Sequence, residues 1–185
     1  MPKGLAQGIT LLEILTTMAV GAISFGLVMP GMANLIQHNR LSTHVNNLRA
    51  SLSLTRTNAI YQNESTVICK SSDGKVCSRQ GEWSQGWIVY ADSDHNRRRS
   101  AEERLIFVQS AIPAGTQIRY RAFGSQHYIA YRPTGLTRTN GSFTVCNPKN
   151  LRTAKALILN KSGRIRLSNT LPQNKPIKCE DKSGS

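Results

Sequence analysis

The fold is decided by residues 8–29, which read GITLLEILTTMAVGAISFGLVM. In the 21 residues that follow Gly8, the one charged side chain is Glu13. A helix of about 20 apolar residues is long enough to cross a bilayer. We therefore predict a polar leader at residues 1–8, a transmembrane helix over residues 9–30 and a single head domain over residues 31–185.

The order of leader and apolar run differs from that of an ordinary secretory signal. In such a signal the small residue at the cleavage site follows the apolar run, whereas Gly8 precedes it here. Cleavage between Gly8 and Ile9 would leave the hydrophobic helix on the mature protein. Glu13 is also unusual, because an ionisable side chain inside an apolar span is by default functional and has a partner.

Beyond Pro30, which we expect to break or kink the helix, the pattern becomes amphipathic. Mostly apolar residues recur at steps of three and four, with polar residues between them. This spacing predicts that a helix continues over residues 31–60 and packs one face on the head; a partner helix is the alternative. The predicted stripe consists of Leu41, Val45, Leu48, Leu52, Thr55 and Ala59.

From residue 65 to residue 168 the sequence contains short β-favouring runs separated by turn residues. The runs are residues 66–69, 86–90, 105–108, 118–121, 128–131, 143–146, 156–159 and 164–167. Strands that follow one another without intervening helices indicate antiparallel pairing. The predicted class is α+β, with a long N-terminal helix packed on an antiparallel β-sheet head and a basic tail at residues 169–185.

The four cysteines predict a disulfide framework. Their spacing does not fit a zinc site built from paired Cys-x-x-Cys elements. Three connectivities are possible, and we favour the one that joins neighbours in sequence. Its bonds are Cys69–Cys77 and Cys146–Cys179.

The positive charge is concentrated in the second half of the chain. The formal net charge is +14, and no Asp or Glu occurs in the 76 residues between Glu103 and Glu180, where thirteen Lys and Arg are found. A field of one sign attracts polyanions such as nucleic acid, anionic lipid or acidic polysaccharide. The alternative is that this charge only keeps the head soluble.

The N-terminal arrangement resembles the prepilin leader of type IV pilins and type II secretion pseudopilins, and the head resembles their GspH/FimT family. Ile9 is a mild departure, because Phe or Met is usual there. The motifs that carry the resemblance are GITLLE (residues 8–13), RTNAI (56–60), VICKSSDG (67–74), GEWSQGW (81–87), YRPTG (131–135) and LILNKSGRIR (157–166).

This resemblance implies a set of partners and a location. A prepilin peptidase would cut after Gly8 and Ile9 would be methylated, while Glu13 would pair with the N-terminal amine of a neighbouring pilin subunit during assembly. The protein would sit in the inner membrane through residues 9–30 with a periplasmic head, and later in the pilus at the cell surface. Members that bind DNA for natural transformation carry a Gly-Arg-x-Arg motif, which residues 163–166 match.

The chemistry of this motif can also be derived from the residues. Two strands joined by residues 160–163 would place Arg164 and Arg166 on one face, about 7 Å apart, and Ile165 and Leu167 on the other. A guanidinium binds phosphate through a planar fork of donors, and Lys161 could add a contact. The alternative is that the two arginines only make an edge strand soluble.

Other basic residues extend the predicted patch, and none suggests base recognition, so DNA binding is expected to be independent of sequence. We expect Lys149, Lys175 and Lys178 nearby, whereas residues 97–99 should be neutralised by the flanking acids. The predicted DNA-binding residues are Lys161, Gly163, Arg164, Arg166, Arg152, Lys155, Arg119 and Arg121.

Other functions receive less support from the sequence. The scattered histidines and the lack of a nucleophile or phosphate-loop motif predict no enzyme, cofactor or metal. We expect Trp83 and Trp87 to belong to the core. Two alternatives to DNA capture remain: a structural pseudopilin at the tip of a type II secretion pseudopilus, and an adhesin for acidic glycans.

Overall fold

A computed structural model describes residues 10–148 and 150–179, with side chains omitted at 26–38 and 150–152. The predicted leader, the cleavage site at Gly8 and Ile9, and residues 180–185 lie outside the described residues. The chain divides into two compact units, which meet between Arg40 and Leu41. Within the described residues, no helix combines the length and hydropathy needed to cross a membrane. The predicted span over 9–30 includes residues beyond this description and stays a prediction.

Helix α1 extends from Leu11 to Tyr61. Of the two expectations for Pro30, a break is wrong, since α1 continues through that position, and a kink stays a prediction. A proline removes one backbone hydrogen bond, and a long helix can retain the others with a bend.

The part of α1 in the second unit packs on the head as predicted. The predicted stripe is buried, including Thr55 and the flanking Ser51. These two hydroxyls are satisfied locally, because Thr55 Oγ1 donates to the Ser51 carbonyl at 2.6 Å and Ser51 Oγ donates to the Asn47 carbonyl at 2.9 Å. The helix therefore contributes a continuous inner face to the core.

The head contains strands at all eight predicted runs, but they form two sheets where we expected one. Both sheets are antiparallel and four-stranded, with the orders β3-β2-β1-β5 and β4-β6-β7-β8. The strands are β1 (Thr66–Lys70), β2 (Trp87–Ala91), β3 (Leu105–Gln109), β4 (Gln117–Ala122), β5 (Tyr128–Tyr131), β6 (Gly141–Asn147), β7 (Asn150–Leu159) and β8 (Ile165–Ser168). The division arises because β5 returns to pair with β1.

One hydrophobic core joins α1 to the inner faces of both sheets. Trp83 and Trp87 are buried in it, as predicted. Trp83 makes an edge contact with Phe143 at 5.0 Å between ring centroids, and Tyr120 stacks on Phe143 at 4.4 Å. Burial raises the pKa of Tyr120 to about 12, so this phenol is neutral at physiological pH.

Both predicted disulfides are present. Cys69–Cys77 holds the loop after β1 against the outer face of the first sheet, and Cys146–Cys179 ties the C-terminal tail to β6. The second bond decides where the tail lies, and thereby the composition of the candidate site.

Candidate nucleic-acid interface

The Gly-Arg-x-Arg motif lies on the hairpin that joins β7 to β8. The turn is closed by a hydrogen bond from the Gly163 amide to the Asn160 carbonyl at 3.0 Å, and the Arg164 amide donates to Asn160 Oδ1 at 3.0 Å. Gly163 has φ +74°, as predicted for a glycine at this turn. Arg164 and Arg166 are both exposed, while Ile165 between them packs against the core.

Gly163 has a second role that the sequence did not reveal. It is buried, and a Cβ atom built on it would lie 2.0 Å from the Gly135 carbonyl oxygen and 3.1 Å from the ring of Tyr131. Arg56 of α1 donates from Nε to the same Gly135 carbonyl at 3.1 Å. The turn therefore packs against the loop after β5, and Arg56 of α1 is hydrogen-bonded to the same loop. Gly163 positions the motif rather than presenting a surface to a ligand.

Strand register places four of the predicted arginines on one surface. Arg121 of β4 and Arg166 of β8 lie in the same cross-strand row, connected through Ser142 and Ile158. Three strand spacings separate them, which is about 14 Å. Arg119 and Arg164 follow by alternation, so all four occupy the face of the second sheet that points away from the core. We call this the outer face.

The C-terminal tail crosses this outer face. Lys175 and Lys178 line a cavity of about 380 Å³ together with Arg119 and Arg121. Pro172 lies beside Ile158 and Arg121 in a second cavity of about 350 Å³. Cover by the tail explains the burial of Ala156, which occupies the outer face yet is 0% exposed. The disulfide therefore brings the tail lysines to the arginines, as the sequence predicted.

A family comparison covers most of this domain. Residues 44–163 match the family described as Type II transport protein GspH. The chain belongs to the GspH family. The match ends at Gly163, so it includes the turn glycine of the motif but neither of its arginines. The tail also lies beyond the matched region. The family match therefore covers most of the head but neither Arg164, Arg166 nor the tail lysines.

Solved structures show the same fold. FimU, a type IV minor pilin of Pseudomonas aeruginosa, has 17% identity and a TM-score of 0.56, with 75% of this chain and 96% of FimU covered. EpsH, a minor pseudopilin of the type 2 secretion system of Vibrio cholerae, has 10% identity and a TM-score of 0.51, with 70% and 96% covered. At these identities the likeness shows the fold alone. No curated protein matches the sequence.

One predicted basic residue of this GspH-family chain does not join the outer face. Lys155 has the same parity as the buried Leu157, which places it on the opposite side of β7. It donates from Nζ to Asn169 Oδ1 at 2.7 Å. Arg152 lies in β7, and its side chain is outside the described residues. Lys149 is wholly outside them. Lys161 is exposed at the tip of the turn, where its carbonyl accepts from the Thr137 amide at 3.0 Å.

The arginines of the outer face differ in their surroundings. Arg119 and Arg121 also line a cavity together with the carboxylate of Glu82. Arg164 and Arg166 lie at the other edge of the sheet and are exposed to solvent.

An exposed aromatic side chain at this face was missed from the sequence. Phe123 follows β4, is 89% exposed, and lines the smaller cavity beside Arg121 and Pro172. The signal was present, because Phe123 continues the alternation of Arg119 and Arg121 onto the same side. Exposed rings next to basic groups are suited to stacking on nucleic-acid bases.

Glu13, the predicted assembly residue, lies in the first turn of α1. Its amide donates to the Thr10 hydroxyl at 3.4 Å. An acidic residue is stabilising there because it faces the positive end of the helix dipole. This local role is compatible with pairing to another subunit, which stays a prediction.

Proposed function

We propose that this GspH-family protein is a minor pilin that captures extracellular DNA during natural transformation. The observation that carries the proposal is the shared outer face of Arg119, Arg121, Arg164 and Arg166, completed by the tail lysines. All of these residues lie between Glu103 and Glu180, where the sequence has no Asp or Glu. Any carboxylate near the outer face therefore comes from another part of the chain.

The arrangement favours phosphate over base recognition. Arg164 and Arg166 are separated by about 7 Å along β8, close to the spacing of successive phosphates in an extended strand. No described helix projects from this face toward a groove. About four to six neutralised phosphates would give affinity that falls with salt at about −0.9 per contact in a log-log plot on duplex DNA. We expect no sequence preference.

The location and assembly of the protein are part of the same proposal. Cleavage between Gly8 and Ile9 would leave residues 9–30 as a membrane anchor, and Glu13 would meet the new N-terminal amine of a neighbouring subunit. The head would face the periplasm and then the outside of the cell, an oxidising environment that suits its two disulfides. Mass spectrometry of the mature protein tests the cleavage between Gly8 and Ile9.

A second function is favoured by the family description. The matched family is one of type II transport proteins, and EpsH shares the fold. A pseudopilin at the tip of a secretion pseudopilus would need the framework but not the basic face. Deletion would then abolish secretion of folded exoproteins and leave DNA uptake unchanged.

DNA binding by the full-length protein in detergent tests the proposal. We expect Arg164→Gln/Arg166→Gln to weaken binding at about 0.1 M salt by at least about tenfold, and to reduce the salt slope by about 2, because two phosphate contacts are lost. Fluorescence anisotropy with labelled DNA over a range of salt concentrations gives both quantities. In cells, transformation should fall while pilus assembly is retained.

A matched control is available on α1. Arg40→Gln/Arg49→Gln removes the same charge at two exposed helical positions and should change affinity little. Equal weakening by the two double variants would mean that net charge alone attracts DNA and would remove the assignment of the outer face. Absence of binding by the unaltered protein at low salt would favour the pseudopilin function.

A further inference from the structure

The loop between β2 and β3 has the ligand spacing of a calcium-binding loop. Residues 92–103 read DSDHNRRRSAEE. EF-hand loops of twelve residues place oxygen ligands at positions 1, 3 and 5 and a bidentate Glu at position 12. Here those positions hold Asp92, Asp94, Asn96 and Glu103. The departure from the pattern is Arg97 at position 6, where EF-hands have glycine.

The structure shows how the loop tolerates this departure. Arg97 adopts φ +61°, the left-handed conformation that the glycine would provide. Its amide donates to Asp92 Oδ1 at 3.0 Å, and Glu103 accepts from the amides of Ser93 and Ser100, each at 3.0 Å. The loop is therefore wound around its carboxylates.

The three carboxylates converge without a basic partner. One oxygen each of Asp92, Asp94 and Glu103 lies within 4.8 Å of the others. Asp92 is 1% exposed and Glu103 is 5% exposed. Among the described residues, the ion pair found is that between Arg104 and Glu64, so none of the three carboxylates is in an ion pair there. Asp94 is exposed whereas the other two are buried, and carboxylates at this separation repel one another unless hydrogen-bond donors, a proton or a cation offset their charge.

Within the described residues the arginines of the loop make no ion pair with the three carboxylates, although Arg97 lines a cavity together with Asp92. Arg97 donates to the Tyr128 hydroxyl at 3.4 Å, and Arg99 donates to the carbonyls of Lys75 and Glu103. Arg97, Arg98 and Arg99 also line a cavity of about 770 Å³. Backbone amides donate to Asp92 and Glu103, and a bound cation would offset the remaining repulsion between the carboxylates.

An independent observation comes from Tyr90. Its side chain is wholly buried and its hydroxyl has no hydrogen-bond partner among the described residues. Tyr90 lies two residues before Asp92, on the same side of the chain by alternation. The charged groups that act on this hydroxyl are the carboxylates of Asp92, Glu103 and Asp94. A water molecule on a cation bound to the cluster would give this hydroxyl a partner.

We propose that residues 92–103 bind a calcium ion through the side chains of Asp92, Asp94, Asn96 and Glu103. The Arg98 carbonyl, at position 7 of the loop, and water would complete the six to eight oxygen ligands that Ca²⁺ takes. Mg²⁺ is less suited, since it demands a near-ideal octahedron and retains its own water. With arginines nearby, we expect a dissociation constant of about 10⁻⁴–10⁻³ M, as in extracellular modules.

Calorimetric titration of the full-length protein in detergent tests this site, after removal of divalent ions with a chelator. We expect one Ca²⁺ per chain, at least about tenfold weaker binding of Mg²⁺, and a rise of about 5–10 °C in Tm at saturating Ca²⁺. Asp94→Asn, at an exposed position, should weaken Ca²⁺ binding at least about tenfold and remove the Tm shift at the same concentration.

Glu102→Gln is the matched control, because Glu102 is an exposed acid adjacent to Glu103 and outside the cluster. It should bind Ca²⁺ as the unaltered protein does. The proposal is overturned if millimolar Ca²⁺ gives neither heat nor a Tm shift. It is also overturned if Asp94→Asn and Glu102→Gln weaken binding equally, which would indicate nonspecific attraction to acidic side chains.

Discussion

Replacement of Gly163 by alanine should lower the free energy of unfolding by about 2–5 kcal/mol. A left-handed alanine contributes about 1–2 kcal/mol of this loss. The remainder arises because the new Cβ would lie 2.0 Å from the Gly135 carbonyl oxygen, and relief of such overpacking moves backbone at a cost of about 1–3 kcal/mol. Urea unfolding of the full-length protein in detergent measures the change.

Gly74→Ala separates the two contributions. Gly74 has φ +71°, close to that of Gly163, but the nearest atom to its Cβ would be a side-chain methyl of Val108 at 3.0 Å. It should therefore lose about 1–2 kcal/mol. Equal losses at the two glycines would contradict the contact between the turn and Gly135. Because Arg164 follows directly, the folded fraction of Gly163→Ala should also bind DNA more weakly.

Removal of the Cys146–Cys179 bond should have an effect of similar size on stability. The bond closes a segment with a sequence separation of 33, for which restriction of the unfolded chain amounts to about 3.7 kcal/mol. Cys146→Ala/Cys179→Ala avoids placing hydroxyls at a buried site. Without the bond, Lys175 and Lys178 would no longer be held beside Arg119, and DNA affinity should fall a fewfold.

The other disulfide provides the comparison. Cys69–Cys77 has a sequence separation of 8, and the same argument gives about 2.5 kcal/mol. Cys69→Ala/Cys77→Ala should leave DNA affinity unchanged, because this bond lies at the first sheet. Guanidinium unfolding and anisotropy on both double variants test the pair of expectations. An unchanged unfolding midpoint in Cys146→Ala/Cys179→Ala would mean that the tail is held by other contacts.

The features that the sequence predicted correctly are those with local causes. Runs of β-favouring residues between turn residues predicted the strands. The spacing of three and four residues predicted the buried stripe of α1, and Gly163 predicted the hairpin turn. Both disulfides join cysteines that are neighbours in sequence. The choice of partner strands is different, because it depends on contacts between distant residues. The return of β5 to β1, which divides the head into two sheets, has no local signal.

The candidate site was predicted in part for the same reason. Arg119, Arg121, Arg164 and Arg166 share a face because alternation within two strands is local and the sheet brings the strands together. Lys155 was assigned by proximity along the chain, although its parity with Leu157 indicates the opposite side. The steric role of Gly163 depends on Gly135, which is 28 residues away. The ligand spacing of residues 92–103 was obscured by the three arginines, which suggested internal neutralisation.

The contact between Gly163, Gly135 and Arg56 has a mechanical consequence. β8 is an edge strand, and an edge strand alone is the part of a sheet that an applied tension peels away most easily. Tension on a polymer held at Arg164 and Arg166 would first reach the turn, which is braced by the Gly135 carbonyl and by the Arg56 hydrogen bond to it. The load would then pass directly into α1 and would bypass much of the hydrogen bonding between strands.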